Sequence, residues 1–139
     1  MIFWDSSAIL PLVIQEPRSS TVRACFSTVT QLLWWSTPLE CESAVCRRVR
    51  EGSISAVEAK DVRHELEALR LGMIEVLPSQ EVRLLAIDML RKHPLRAADA
   101  AQLGAAEMWR RRSGRAVSFV CLDQRLRDAA ASEGFTLLP

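Results

Sequence analysis

The chain has 139 residues, 49% of them apolar and 25% charged, and a net charge of +1. That length buries a hydrophobic core without disulfides or a structural metal, and the composition excludes a disordered chain. The charge balance excludes a broadly basic or acidic surface, so any nucleic-acid contact has to come from local patches. The longest uninterrupted apolar run, Ala8 to Ile14, is too short to span a bilayer. No basic region precedes it and Asp5 arrives early, so no signal peptide is expected.

In chain order, the first short apolar run is Ile2–Trp4, which stops at Asp5. Ser6–Ile14 reads as a helix that is either kinked at Pro11 or starts late. Val22, Cys25, Phe26 and Val29 follow the spacing of one helical face. Leu32–Trp35 is the second run; both Trp34 and Trp35 are expected in the core of a sheet covered on two sides. Thr37-Pro38-Leu39-Glu40 has a cap residue, a Pro at the first helical position and a Glu three after the cap, and Gly52 stops that helix. Ser55 to Glu58 repeats the capping box, followed by the stripe Val62, Leu66, Leu69 and the stop at Gly72.

Met73–Leu77 is the third run. Val82, Leu85, Ala86, Met89 and Leu90 form the next helical stripe, ended by His93-Pro94. Ala97–Arg112 is a further helix, Val117–Leu122 the fourth run, Gln124–Ser132 the last helix and Phe135–Leu138 the fifth run. Runs this short, rich in β-branched and aromatic residues, read as strands. Alternation of strands and helices implies an α/β fold: a three-layer α/β/α sandwich around a parallel sheet of about five strands, in one domain over 1–139. In such sheets ligands bind beyond the carboxyl ends of the strands.

Carboxylates collect at that edge. Asp5 directly follows the first strand and Asp123 the fourth. Glu40 lies in the first turn of the helix after the second strand, and Asp99 in the first turn of the helix leading to the fourth. Each has an ordinary use as a cap or as a partner of a helix dipole. Four at one edge would repel one another, and a divalent cation removes the conflict. Oxygen-only donors select a hard ion, Mg²⁺ or Mn²⁺, which suits phosphodiester hydrolysis. Neighbouring arginines can hold a phosphate backbone. Arg47, Arg48 and Arg50 form one arginine cluster and Arg110, Arg111, Arg112 and Arg115 another, although solvated helix faces explain either alone. Trp109, beside the second cluster, reads as packing rather than as a base-stacking platform. The cysteines Cys25, Cys41, Cys46 and Cys121 form no Cys-x-x-Cys pair, so they read as free thiols of a cytoplasmic protein.

Four stretches together resemble the PIN-domain ribonucleases, in particular the VapC toxins of toxin–antitoxin pairs. They are Ile2-Phe3-Trp4-Asp5-Ser6-Ser7-Ala8; Thr37-Pro38-Leu39-Glu40 continuing to Ser43-Ala44; Leu95 to Leu103 around Asp99; and Phe119 to Leu126 around Asp123. The resemblance implies a PIN-like fold, metal-binding acids at Asp5, Glu40, Asp99 and Asp123, and Mg²⁺- or Mn²⁺-dependent endoribonuclease activity. It also implies a homodimer and inhibition by a cognate antitoxin protein. Ser7 is a candidate to support Asp5 by hydrogen bonding, although a serine at a helix start explains it equally well, and Arg96 is a candidate supporting residue near Asp99. Cys121 stands where the family often has Ser or Thr, and a thiol is a weaker donor and a poor ligand for hard ions. Glu42 competes with Glu40, and two residues along a helix point about 200° apart, so only one faces the site.

Two rival enzyme classes fit less well. A phosphoryl-acceptor Asp of the haloacid-dehalogenase kind needs a second Asp where Ser7 stands, and a receiver domain needs a late Lys, whereas the only lysines are Lys60 and Lys92. The non-enzymatic alternative is a catalytically impaired PIN-like domain that binds RNA or protein.

Overall fold

The computed structural model describes residues 1–139. Its strands are β1 (Ile2–Trp4), β2 (Gln31–Trp34), β3 (Ile74–Val76), β4 (Ser118–Val120) and β5 (Thr136–Leu138). They form one sheet in the order β3-β2-β1-β4-β5, with every pair parallel. β1 is central, with Trp4 opposite Leu33 on one side and Val120 on the other. The helices are α1 (Ser6–Val13), α2 (Ser19–Arg23), α3 (Thr37–Arg50), α4 (Ala56–Leu71), α5 (Gln80–Lys92), α6 (Ala97–Ser113) and α7 (Gln124–Ser132).

Successive strand side chains point to opposite faces, which divides the interior in two. Phe3, Leu32, Trp34 and Phe119 pack with α5, α6 and α7. Ile2, Trp4, Leu33 and Val120 pack with α1 to α4. The Phe3 and Phe119 rings stack at 5.5 Å between centroids across the β1–β4 pair. This is the three-layer α/β/α sandwich expected from the alternation of runs. At Gly104, α6 passes so close to α5 that a Cβ would lie 2.9 Å from the Ala86 backbone nitrogen. The capping box of Ser55 and Glu58 forms as expected.

Three local expectations are corrected, and one open alternative is decided. The helix predicted through Val29 stops at Arg23, leaving Phe26 and Val29 exposed. The buried Gln31 amide explains this: its Nε2 donates to the carbonyls of Ser27 and Val29, at 2.9 and 2.6 Å. Those side-chain bonds satisfy the loop backbone without a helix. Trp35 is not core; it lies past the end of β2 and is 45% exposed. On α5 the buried face is Val82, Leu85 and Met89, and Leu90 turns to solvent. Finally, α1 starts at Ser6 and runs through Pro11, which is buried inside the helix. No helix is long and apolar enough to cross a membrane, and all four cysteines are free.

Candidate active site

The strand order reverses at β1. The chain steps outward from β1 to β2 and β3, then crosses back to place β4 on the other side of β1. Ligand crevices of open parallel sheets lie beyond the strand ends at such a reversal. Here that position is occupied by Asp5 and Asp123, and the backbones meet there, with Asp5 N donating to Val120 O at 3.0 Å.

Asp5 caps α1. Its Oδ2 accepts from Ser7 N at 3.0 Å and from Ser7 Oγ at 2.5 Å, and Cys121 Sγ lies 3.5 Å from the same oxygen. All of its side-chain bonds thus fall on one oxygen, which leaves Oδ1 without a protein partner at the cleft. Asp5 is only 3% exposed. Burial pushes its carboxyl up to about 6; the Ser7 bonds pull it down and the charge of Glu40 adds to the rise. Ser7 does a second job, because its Oγ also accepts from Leu122 N at 2.9 Å. One hydroxyl therefore ties the end of β1 to the loop that carries Asp123.

Asp123 caps α7, with Oδ1 accepting from Leu126 N at 3.0 Å. Glu40 does not make the capping box expected with Thr37. Ser36 occupies the cap position without a side-chain cap bond, and Thr37 is buried. The Glu40 carboxylate instead accepts from Ser6 Oγ (2.7 Å), Ser36 Oγ (2.8 Å) and Gln102 Nε2 (3.2 Å). These donors hold it toward the cleft. Glu42 faces elsewhere, in an ion pair with Arg63 at 2.7 Å. Asp99 sits half-buried in the first turn of α6. Its carboxyl is raised by burial and by the charges of Asp123 and Glu40, while the Arg96 backbone N–H and guanidinium act the other way.

The four predicted acids thus line one open cleft of about 710 Å³, together with Ser6, Ser7, Arg47, Arg48 and Arg96. Their mutual charge effects and their all-oxygen chemistry fit a hard divalent cation. No three acidic, His or Cys side chains converge closely enough to cage an ion as they stand. Cys121 is buried against Asp5 and Ser7, and burial beside the Asp5 charge pushes its thiol far up, so it stays neutral.

Gln102 is the site residue that the sequence reading missed. It is fully buried on α6 and bridges Thr37 and Glu40. The available signal was a polar residue one turn after Asp99 on an otherwise apolar face. The second arginine cluster serves the fold: Arg110 and Arg111 pair with Glu107, and Arg112 with Glu81. Trp109 packs as expected, with Nε1 3.2 Å from the sulfur of Met1, at the opposite end of β1 from the cleft.

No protein-family model matches this sequence, and no curated relative is detectable by sequence. Solved structures do match. VapC20 from Mycobacterium tuberculosis, described as a sarcin-ricin loop cleaving toxin, superposes with a TM-score of 0.70 at 17% identity, over 100% of both chains. FitAcB from Neisseria gonorrhoeae superposes with a TM-score of 0.68 at 15% identity, over 100% of this chain and 97% of that one. The chain has a PIN-like fold. That PIN-like fold is the one implied by the four sequence stretches, and it carries all of them along the same cleft.

Proposed function

We propose that this chain is a Mg²⁺- or Mn²⁺-dependent endoribonuclease that hydrolyses RNA phosphodiester bonds, a VapC-type toxin held inactive by a cognate antitoxin protein. The observation that carries the reading is the convergence of Asp5, Glu40, Asp99 and Asp123 on one cleft at the reversal of strand order. The RNA-cleaving description of VapC20, which shares the fold, supports it. In this reading residues 1–139 work as one PIN-like domain in the cytoplasm, where four free thiols stay reduced. A homodimer belongs to the same proposal; Leu84, Ile87 and Leu90 leave apolar surface on the outer side of α5.

The four carboxylates would hold the cation, Asp5 through its unpartnered Oδ1. Bound there, a hard cation supplies charge neutralisation at the phosphoryl oxygens and an acidified water. The protein's part is positioning. Ser7 fixes Asp5 relative to the Asp123 loop, and Ser6, Ser36 and Gln102 fix Glu40. Burial of Asp5 and repulsion among the acids leave the cation-free site under electrostatic stress, which cation binding relieves.

The alternative, a domain that binds RNA without cutting it, draws on two observations: the thiol of Cys121 against Asp5, and the absence of a closed cage of ligands. Incubating the purified chain with a mixed RNA pool in Mn²⁺ or Mg²⁺ separates the two, with EDTA and Asp99→Asn as controls. The nuclease cleaves only with metal and with Asp99 intact. RNA binding without cleavage and without calorimetric Mn²⁺ binding would establish the alternative.

A further inference from the structure

The cleft is acidic at its centre, and an anionic polymer enters such a cleft only where cations offset the carboxylates. Three arginines line it. Arg48 is already committed, paired with Glu16. Arg47 and Arg96 are exposed, and neither joins the chain's ion pairs or side-chain hydrogen bonds. Resting on the nuclease reading above, we propose that Arg47 and Arg96 bind the backbone phosphates of single-stranded RNA on two walls of the cleft, flanking the phosphate at the acids.

Helix geometry places both. Glu40, Ser43, Ala44 and Arg47 are spaced i, i+3, i+4, i+7, so they share one face of α3, and all four line the cleft. At about 1.5 Å of rise per residue, Arg47 stands ~10 Å along α3 from Glu40. Arg96 occupies the cap position of α6, three residues before Asp99. Phosphate is an apt partner at that helix start, since Arg96 provides no side-chain cap bond to the first-turn N–H groups. A guanidinium one turn from a carboxylate commonly pairs with it. Here Arg96 makes no ion pair with Asp99 and keeps its guanidinium donors for a ligand. The cleft volume of about 710 Å³ lies in the range that encloses a small extended ligand.

These contacts position RNA without reading bases, so their loss acts on binding and on its salt dependence rather than on the chemical step. The experiment uses the full chain carrying Asp5→Asn, to prevent cleavage, and a fluorescent single-stranded RNA oligomer titrated at several KCl concentrations. Arg47→Ala and Arg96→Ala are each expected to weaken binding roughly tenfold and to reduce the salt slope by about 0.7. Arg115→Ala, on the surface after α6 and outside the cleft, serves as the charge-matched control and leaves affinity within about twofold. In the cleavage-competent chain Arg47→Ala raises KM and leaves kcat within about threefold. If the Asp5→Asn chain binds RNA and both cleft variants match the Arg115→Ala control, this assignment is overturned while the nuclease reading stands. If the Asp5→Asn chain binds no RNA and the unmodified chain cleaves none, both fall.

Discussion

Replacing Asp5 by asparagine is expected to stabilise the metal-free protein at neutral pH while abolishing cleavage. The carboxyl is almost fully buried, and burial raises it from its ordinary 3.8 to about 6. Below about pH 4 it is protonated in both the folded and the unfolded chain and contributes nothing to the pH dependence. Between about pH 4 and pH 6 the unfolded chain has released the proton that the folded chain still holds, so stability falls as pH rises. Above about pH 6 the loss is complete. At 1.36 kcal/mol per pH unit, it amounts to about 3 kcal/mol. Asparagine is as good an N-cap and can accept the same Ser7 bonds, so it removes the charge and keeps the local geometry. For a chain of this length about 3 kcal/mol corresponds to roughly 10 °C in Tm. Thermal melts in EDTA should therefore show the variant well above the parent near pH 7.5, with the gap closing toward pH 4. Added Mn²⁺ should raise the parent's Tm and leave the variant's nearly unchanged. An equal or lower Tm for the variant at neutral pH, or a gap independent of pH, would refute the claim that Asp5 sits ionised against its burial.

Ser7→Ala leaves the Leu122 N–H without its acceptor and Asp5 without its shortest bond; a stability loss of about 1–2 kcal/mol in denaturant melts and roughly tenfold weaker Mn²⁺ binding by calorimetry are expected. Gly104→Ala pushes a methyl to within 2.9 Å of the Ala86 nitrogen and 3.1 Å of the Val82 carbonyl, backbone atoms of a packed helix that cannot swing aside. It should cost about 2–3 kcal/mol of stability, with an unchanged Tm as the contrary result. Cys121→Ser places a stronger donor beside Asp5 Oδ2 and the Asp123 carbonyl. About 1 kcal/mol of better hydrogen bonding predicts roughly fivefold tighter Mn²⁺ binding and faster cleavage, and titrations that match the parent would show that the thiol limits neither.

The centre of the sheet was legible because β1, β2 and β4 are short, mostly apolar and largely buried. Ile2–Trp4 has no polar position to confuse the period, and it pairs along its whole length with neighbours on either side. The segment before β2 was not legible. Val22, Cys25, Phe26 and Val29 carry helical spacing, but the deciding group is the Gln31 amide, which bonds back to Ser27 and Val29 while accepting from Trp4 Nε1. A side chain that substitutes for backbone bonds from outside the segment leaves no mark in the segment's own periodicity. Trp35 failed for a related reason. The apolar run continues one residue past the last sheet pairing at Trp34, and composition does not register where pairing ends.

At the site, the choice between Glu40 and Glu42 turned on partners far away in sequence: Gln102 for the first and Arg63 for the second. Asp5 and Asp123 were legible for a different reason, and the competition between cap and functional acid dissolves in the geometry. A carboxylate has two oxygens. In Asp5 the cap bonds fall on Oδ2, and in Asp123 the cap bond falls on Oδ1. Capping fixes the rotamer and aims the remaining oxygen away from the helix, at the carboxyl edge of the sheet. Because helices that directly follow parallel strands all begin at that edge, capping acids after β1 and β4 converge by topology alone. The capping role is thus the means by which two acids 118 positions apart, at 5 and 123, are held at one edge of the sheet.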